Sequence, residues 1–398
     1  MRLALLRAFA FIGSPWRRSF GLPVSSSPRV LLMRPDHIGD LLFTTPTIRT
    51  LRQALPAAHL AVLVGSWGMP VIENNPRVDE RLACEFPGFS RQRKDSWWAP
   101  YRRLLACARR LRSERYDVAL ILRFDHWWGA LLAYLADIPC RIGYAIPECS
   151  PFLTHAVPYE SQRHEVLQNQ TLAEQVLLVA DHVSRPPGIS SSTVSAMPLE
   201  FFSQDDDTHQ VEGYLQARGW FRKQPLVVIH PGAGAPVKQW RPDGFAEVAN
   251  ELQRQYKATI VLTGSSSELD LAWTIAAQMD TDPIVACGDT TLGQLATLFQ
   301  LSQLVIGPDS GPLHLAVAVG TPTVHLYGPV DPAKFGPWGP ATTHRVLVGS
   351  HDCIPCNRLD YTTAELPEHP CVREIEVSAV LGAARQLLDQ VDTSPDIV

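Results

Sequence analysis

From Arg29 onward, short apolar runs alternate with segments whose apolar positions recur at helical spacing. RVLLM (29–33) predicts a buried strand, and TPTIRTLRQAL (45–55) a helix capped by Thr45 with Pro46 at its first position. HLAVLVG (59–65), DVALIL (117–122) and CRIGYA (140–145) predict three more strands. Apolar runs of this length between helices mark a parallel sheet covered on both faces.

The stretch from 183 to 210 is rich in Pro, Ser and Asp and reads as the approach to a domain boundary. The alternation then restarts. PLVVIHPG (225–232), ATIVLTG (258–264), DPIVACG (282–288), SQLVIGP (302–308) and TPTVHLYG (321–328) predict five further strands, each with a glycine at or just inside its end. The expected fold class is α/β, with two doubly wound Rossmann-like domains facing each other across a cleft. Residues 1–28 form a basic extension, 29–205 the first domain, 206–224 a linker and 225–398 the second domain with a cysteine-containing tail. Ligands of such sheets bind at the carboxyl ends of the strands.

Composition narrows the partners. At 398 residues the chain exceeds what one core usually serves. A net charge of −5 gives no case for nucleic acid. No apolar run approaches the roughly 18–20 residues that span a bilayer. Eight cysteines in so long a chain fit free thiols in a reducing compartment. The acidic run Asp205-Asp206-Asp207 reads as a solvated loop.

Three stretches carry candidate chemistry. In RPDHIGD (34–40), Asp40 follows the first strand and a turn glycine, where a carboxylate can take the proton of an attacking hydroxyl. In IHPGAGAPVKQW (229–240), Gly232, Ala233 and Gly234 let the backbone approach a ligand, and Lys238 supplies a charge suited to phosphate; Trp240 strengthens that reading. In IGPDSGPLHLAVAVG (306–320), Asp309, Ser310 and Gly311 sit where a strand gives way to a helix, with His314 on its first turn. Exposed N–H groups at a helix start attract a diphosphate.

Taken in order, RPDHIGDLLFTTP, HPGAG…VKQW and GPDSGPLHLAVAVGTPTVHLYGP followed by DP resemble the heptosyltransferase family. Those are inverting, nucleotide-sugar-dependent enzymes that add heptose from ADP-heptose to the lipopolysaccharide inner core. The resemblance implies a GT-B fold and no metal or other cofactor in catalysis. It makes Asp40 the base and Lys238 the catalytic cation on the donor phosphates. Gly232, Ala233, Gly234, Asp309, Ser310, Gly311 and His314 would hold the donor's diphosphate and sugar, Glu268 and Thr290 would lie near its nucleoside, and Arg34 would meet the acceptor. The Gly-Ala-Gly turn departs from the Thr or Ser pairs common in those enzymes. The implied partners are a nucleotide-sugar and an anionic glycolipid or glycan acceptor, with the protein cytoplasmic and peripheral to the inner membrane.

Two features stand outside that pattern. Residues 91–115 hold nine basic residues against Asp95 and Glu114, with Leu104, Leu105, Ala108 and Leu111 forming a stripe to be buried and the arginines facing away. That face suits an anionic membrane or a phosphorylated acceptor. In the tail, Cys353 and Cys356 stand at C-x-x-C spacing with Cys371 beyond, a set able to share a structural metal. The rival readings are a transferase with another donor, a sugar 2-epimerase, or a silent nucleotide-sugar-binding scaffold.

Overall fold

The computed structural model describes residues 27–89, 98–180, 197–221 and 224–392. Most of the 1–28 extension, the start of the basic stretch and the first half of the expected boundary at 183–210 lie outside these residues. The chain divides into two compact units, Met1–Met197 and Pro198–Val398.

In the first unit, strands β1 (Arg29–Arg34), β2 (His59–Val64), β3 (Glu80–Ala83), β4 (Val118–Ile121), β5 (Cys140–Tyr144) and β6 (His155–Val157) form one sheet in the order 3-2-1-4-5-6. All of its pairings are parallel. Its helices are α1 (Ile38–Leu42), α2 (Thr45–Ala54), α3 (Met69–Ile72), α4 (Ala99–Glu114), α5 (Trp127–Leu135) and α6 (Glu165–Val179). The core strands are buried on both faces because Val30, Leu31, Leu32 and Met33, like Leu60 to Val64, are almost wholly inaccessible. Helix α4 inserts Leu104, Ala108 and Leu111 into that core, whereas Leu105, expected in the same stripe, is 46% exposed.

The second unit repeats the plan. Strands β7 (Leu226–Ile229), β8 (Thr259–Leu262), β9 (Ile284–Val285), β10 (Leu304–Pro308), β11 (Thr323–Tyr327) and β12 (His344–Val348) lie in the order β12-β11-β10-β7-β8-β9, again all parallel. Helices α7 (Asp207–Gln216), α8 (Pro242–Tyr256), α9 (Leu269–Ala276), α10 (Leu292–Leu301), α11 (Gly311–Ala318), α12 (Pro332–Phe335) and α13 (Val377–Asp392) complete it. Within the segment expected as linker, residues 207–216 are helical. Asp207 is buried at the start of α7 and accepts from the Gln204 amide at 2.8 Å, and Tyr214 donates to Asp289 at 2.8 Å. Asp205 and Asp206 are exposed in the turn before α7, as the solvated-loop reading expects, and only Asp207 departs from it by starting the helix.

In each sheet the strand order reverses at its centre, between β1 and β4 in one unit and between β7 and β10 in the other. The connections leaving those strands diverge to opposite sides and open a crevice at their carboxyl ends.

Candidate active site

The first unit's switch point is built from the segments that leave β1 and β4. Arg34 is the last residue of β1, Pro35 ends the strand, and α1 places Asp40 in its first turn, where the helix dipole favours a carboxylate. Arg34 is only 2% exposed. Its Nε pairs with Asp36 Oδ2 at 2.6 Å and its Nη2 donates to Asp40 Oδ1 at 3.1 Å. Its Nη1 donates to Glu165 Oε1 at 2.8 Å, Asn169 Oδ1 at 3.2 Å and the Leu122 carbonyl at 3.2 Å. Every guanidinium nitrogen is thus engaged inside the unit. Arg34, expected to meet the acceptor, is a buried anchor instead.

Asp40 keeps 30% of its side chain accessible. Its carboxyl is pushed up to about 7, first by burial and then by the charges of Asp36 and Glu165, against the opposing pull of Arg34 and Arg123. A base poised near neutrality is suited to proton transfer. Burial would also raise Asp36, but Arg34 and Arg123 hold it below the usual carboxylate range. Arg123, just past β4, binds the second Asp36 oxygen and lies over the Phe89 ring at 5.1 Å. Beside it Phe124 stacks on Tyr159 with centroids 4.4 Å apart. This half-exposed cation and aromatic pair sit at strand ends, and sequence reasoning missed them: Arg123 lies 87 residues from Asp36 in the chain.

The second unit's switch point lies between the turn after β7 and the start of α11. A short turn, Pro236–Lys238, brings Lys238 Nζ to 2.6 Å from Asp309 Oδ2, and His314 Nε2 lies 3.5 Å from Asp309 Oδ1. Burial alone would raise Asp309, yet Lys238 and His314 hold its carboxyl well below the ordinary range, so it is anionic. Ser310 occupies the cap position of α11 without a side-chain cap, and its buried Oγ has no hydrogen-bond partner among the described residues. Gly311 begins the helix. Behind Asp309, the wholly buried His325 ring lies 5.7 Å from His314, and burial keeps it uncharged.

Gly232 has a defined reason to be glycine. A Cβ there would fall 1.9 Å from Glu268 Oε1, so the carboxylate of Glu268 sits against the bare backbone of the turn. That carboxylate is fixed from the other side by the amide and hydroxyl of Ser265, at 2.7 and 2.8 Å. Ala233 is half-buried, Gly234 exposed, and Thr290 half-buried just before Thr291, which caps α10. Asp309, Ser310, Gly311, His314 and Lys238 are brought together, and Gly232 with Glu268. Trp240 leaves the candidate set: 2% exposed, it donates to the Ile375 carbonyl at 3.0 Å and packs edge-on to Phe245.

Cys353 is exposed, Cys356 half-buried and Cys371 buried, all three free. Among the described residues no group of three or more His, Cys, Asp or Glu side chains is arranged to hold a metal ion. Cys371 is nonetheless within hydrogen-bonding reach of Cys353 and close to Cys356, so the three thiols are brought near one another.

The chain is 29% identical over 303 residues to lipopolysaccharide heptosyltransferase 3 of Escherichia coli K12, covering 75% of this chain and 82% of that protein. Among solved structures it resembles the glycosyl transferase family 9 protein of Veillonella parvula, with a TM-score of 0.75 at 24% identity over 93% of this chain and 100% of that one. It also resembles E. coli ADP-heptose lps heptosyltransferase II, with a TM-score of 0.68 at 22% identity over 92% and 100% of the two chains. At these identities the two structures establish the shared fold, that of the GT-B heptosyltransferases. Residues 104–363, from inside α4 to the tail of the second unit, match the family model described as glycosyltransferase family 9 (heptosyltransferase). With so much of both units inside that match, the chain belongs to glycosyltransferase family 9, the heptosyltransferases.

Proposed function

We propose that the protein transfers heptose from ADP-heptose, with inversion, to a lipopolysaccharide-core acceptor presented at the cytoplasmic face of the inner membrane, with Asp40 as general base. Asp40 takes the proton of an acceptor hydroxyl as that oxygen bonds to the sugar's anomeric carbon. The bond from that carbon to the diphosphate breaks, and ADP leaves with the electron pair. One carboxylate opposite the leaving group is what single-step inversion needs.

The second unit supplies the donor side of this reading. Lys238 and the N–H groups at the start of α11 offset the charge that develops on the diphosphate. Asp309 is anionic and would repel phosphate, so it suits the sugar: its oxygens accept from hydroxyls, while Ser310 Oγ has hydrogen-bonding capacity to spare. Glu268 and Thr290 serve the nucleoside. On the acceptor side Arg123 replaces Arg34 as the reachable cation, and the Phe124–Tyr159 pair offers a face for a sugar ring.

The observation that carries the proposal is the Asp40 carboxyl, held by one oxygen, part-exposed, and raised to the working range of a base. A donor panel tests it. ADP release from ADP-heptose that requires acceptor supports the reading; equal turnover of UDP- or GDP-sugars, or full activity of Asp40→Asn, overturns it.

A further inference from the structure

Three of the large apolar side chains that this structure leaves exposed belong to one helix and its cap: Trp98 at 55%, Tyr101 at 53% and Leu105 at 46%. Spacings of three and four residues place them on one line along α4, and Arg109 and Arg112 continue that line. Arg102, Arg103 and Arg110 flank it, also exposed. The helix therefore carries five arginines and a single acid, Glu114, which lies 3.6 Å from Arg29. Arg112 pairs with Asp137 at 2.9 Å on the surface. The opposite side, Leu104, Ala108 and Leu111, is buried in the unit's core, so the outward stripe is fixed in orientation.

A merely solvated face has no use for an indole, a phenol ring and a leucine among its arginines. An anionic bilayer surface uses all of them. Trp and Tyr settle at headgroup level, arginine heads bind phosphate bidentately, and their aliphatic stems lie along the apolar surface. Helix α4, about 24 Å long at 1.5 Å per residue, presents a convex rod rather than a groove. The chain as a whole carries a charge of −5, so an anionic surface repels most of the molecule and attracts this helix, which sets an orientation. No helix among the described residues is long and apolar enough to cross a membrane. We infer that the outward face of α4, with Trp98, Tyr101, Leu105, Arg102 and Arg109 at its centre, is a docking surface for an anionic lipid bilayer. The inference deepens the proposed function and rests on its membrane-borne acceptor.

The test is co-sedimentation of the full chain with vesicles of phosphatidylcholine alone or mixed with phosphatidylglycerol, alongside turnover on a lipid-free acceptor. Binding is expected only with phosphatidylglycerol, weakening as salt rises. Arg102→Glu with Arg109→Glu should weaken it about tenfold or more. Trp98→Ser with Tyr101→Ser should weaken it several-fold with little change in salt dependence. Turnover on the lipid-free acceptor should stay unchanged in both variants. Equal binding to neutral vesicles, no binding to either, or wild-type binding by the arginine variant each overturns the docking surface. Intact vesicle binding with no transfer from any sugar nucleotide sinks the catalytic reading instead, so the two failures are distinguishable.

Discussion

Arg34 holds Asp40 by one oxygen only: Nη2 reaches Oδ1 at 3.1 Å, while the same guanidinium is fixed on its other edges by Asp36, Glu165 and Asn169. The carboxylate is thereby oriented without being neutralised. Its second oxygen stays available.

Asp40→Asn is expected to lower kcat by about 100-fold to 10,000-fold and to leave ADP affinity, measured by calorimetry, within about twofold. The same change should stabilise the fold. With a folded value of about 7 against an unfolded value of about 3.9, the folded state holds a proton between these values that the unfolded state lacks. Stability from this group is full below about pH 4 and is lost as pH rises through 7. Asn removes that loss, so Tm at pH 8 should rise by roughly 2–4 °C, while at pH 4 the two proteins should melt together.

Glu165→Gln keeps the hydrogen bond to Arg34 but removes a negative charge that helps raise Asp40. Asp40 then ionises at lower pH. The acid limb of the kcat/KM profile, expected near pH 7 in the wild type, should move to lower pH in the variant; a limb that stays in place would assign it to another group. Asp36, Arg34 and Arg123 also face Asp40 and are unchanged by the substitution.

Lys238→Met removes the cation 2.6 Å from Asp309 in a pair whose side chains are only 13% and 9% exposed. An uncompensated buried carboxylate costs about 3–5 kcal/mol, which urea unfolding will register, and transfer should fall at least about 100-fold with the loss of leaving-group stabilisation. The double variant with Asp309→Asn separates the two effects. It should regain most of the stability and none of the turnover.

Gly232→Ala puts a methyl group where Glu268 Oε1 lies. The carboxylate cannot keep its bonds to Ser265, and the cap of the turn at 266–268 loosens. Donor KM should rise about tenfold with kcat and acceptor KM nearly unchanged, on the scale of about 1.4 kcal/mol per tenfold. Unaltered donor KM would remove Glu268 from the nucleoside side.

The fold was legible where strands are long and buried on both faces: β1, β2, β4, β5, β7, β8, β10 and β11 all fall within or against apolar runs. What escaped lies at the sheet edges. Glu80–Ala83, His155–Val157 and His344–Val348 gave no expected strand, and the run at 282–288 shrinks to two residues, because an edge strand is covered on fewer sides and carries polar residues. The breaks after the apolar runs marked Asp40 and Asp309 because both follow strands that end at switch points. The fate of Arg34 was illegible, since its partners Glu165 and Asn169 lie 131 and 135 residues further along. Trp240 misled for a related reason: beside a glycine turn it strengthened the phosphate-site reading, but a carbonyl 135 residues away claims its N–H.

Because a six-stranded parallel sheet with a central reversal occurs twice, each half of the chain owns a complete crevice and depends on the other half for none of its strands. Under the proposed assignment, selection can therefore rework the loops above one sheet to accept a new glycan while the sheet proposed for the nucleotide stays as it is, and lineages can diversify their surface sugars without reinventing the activated donor.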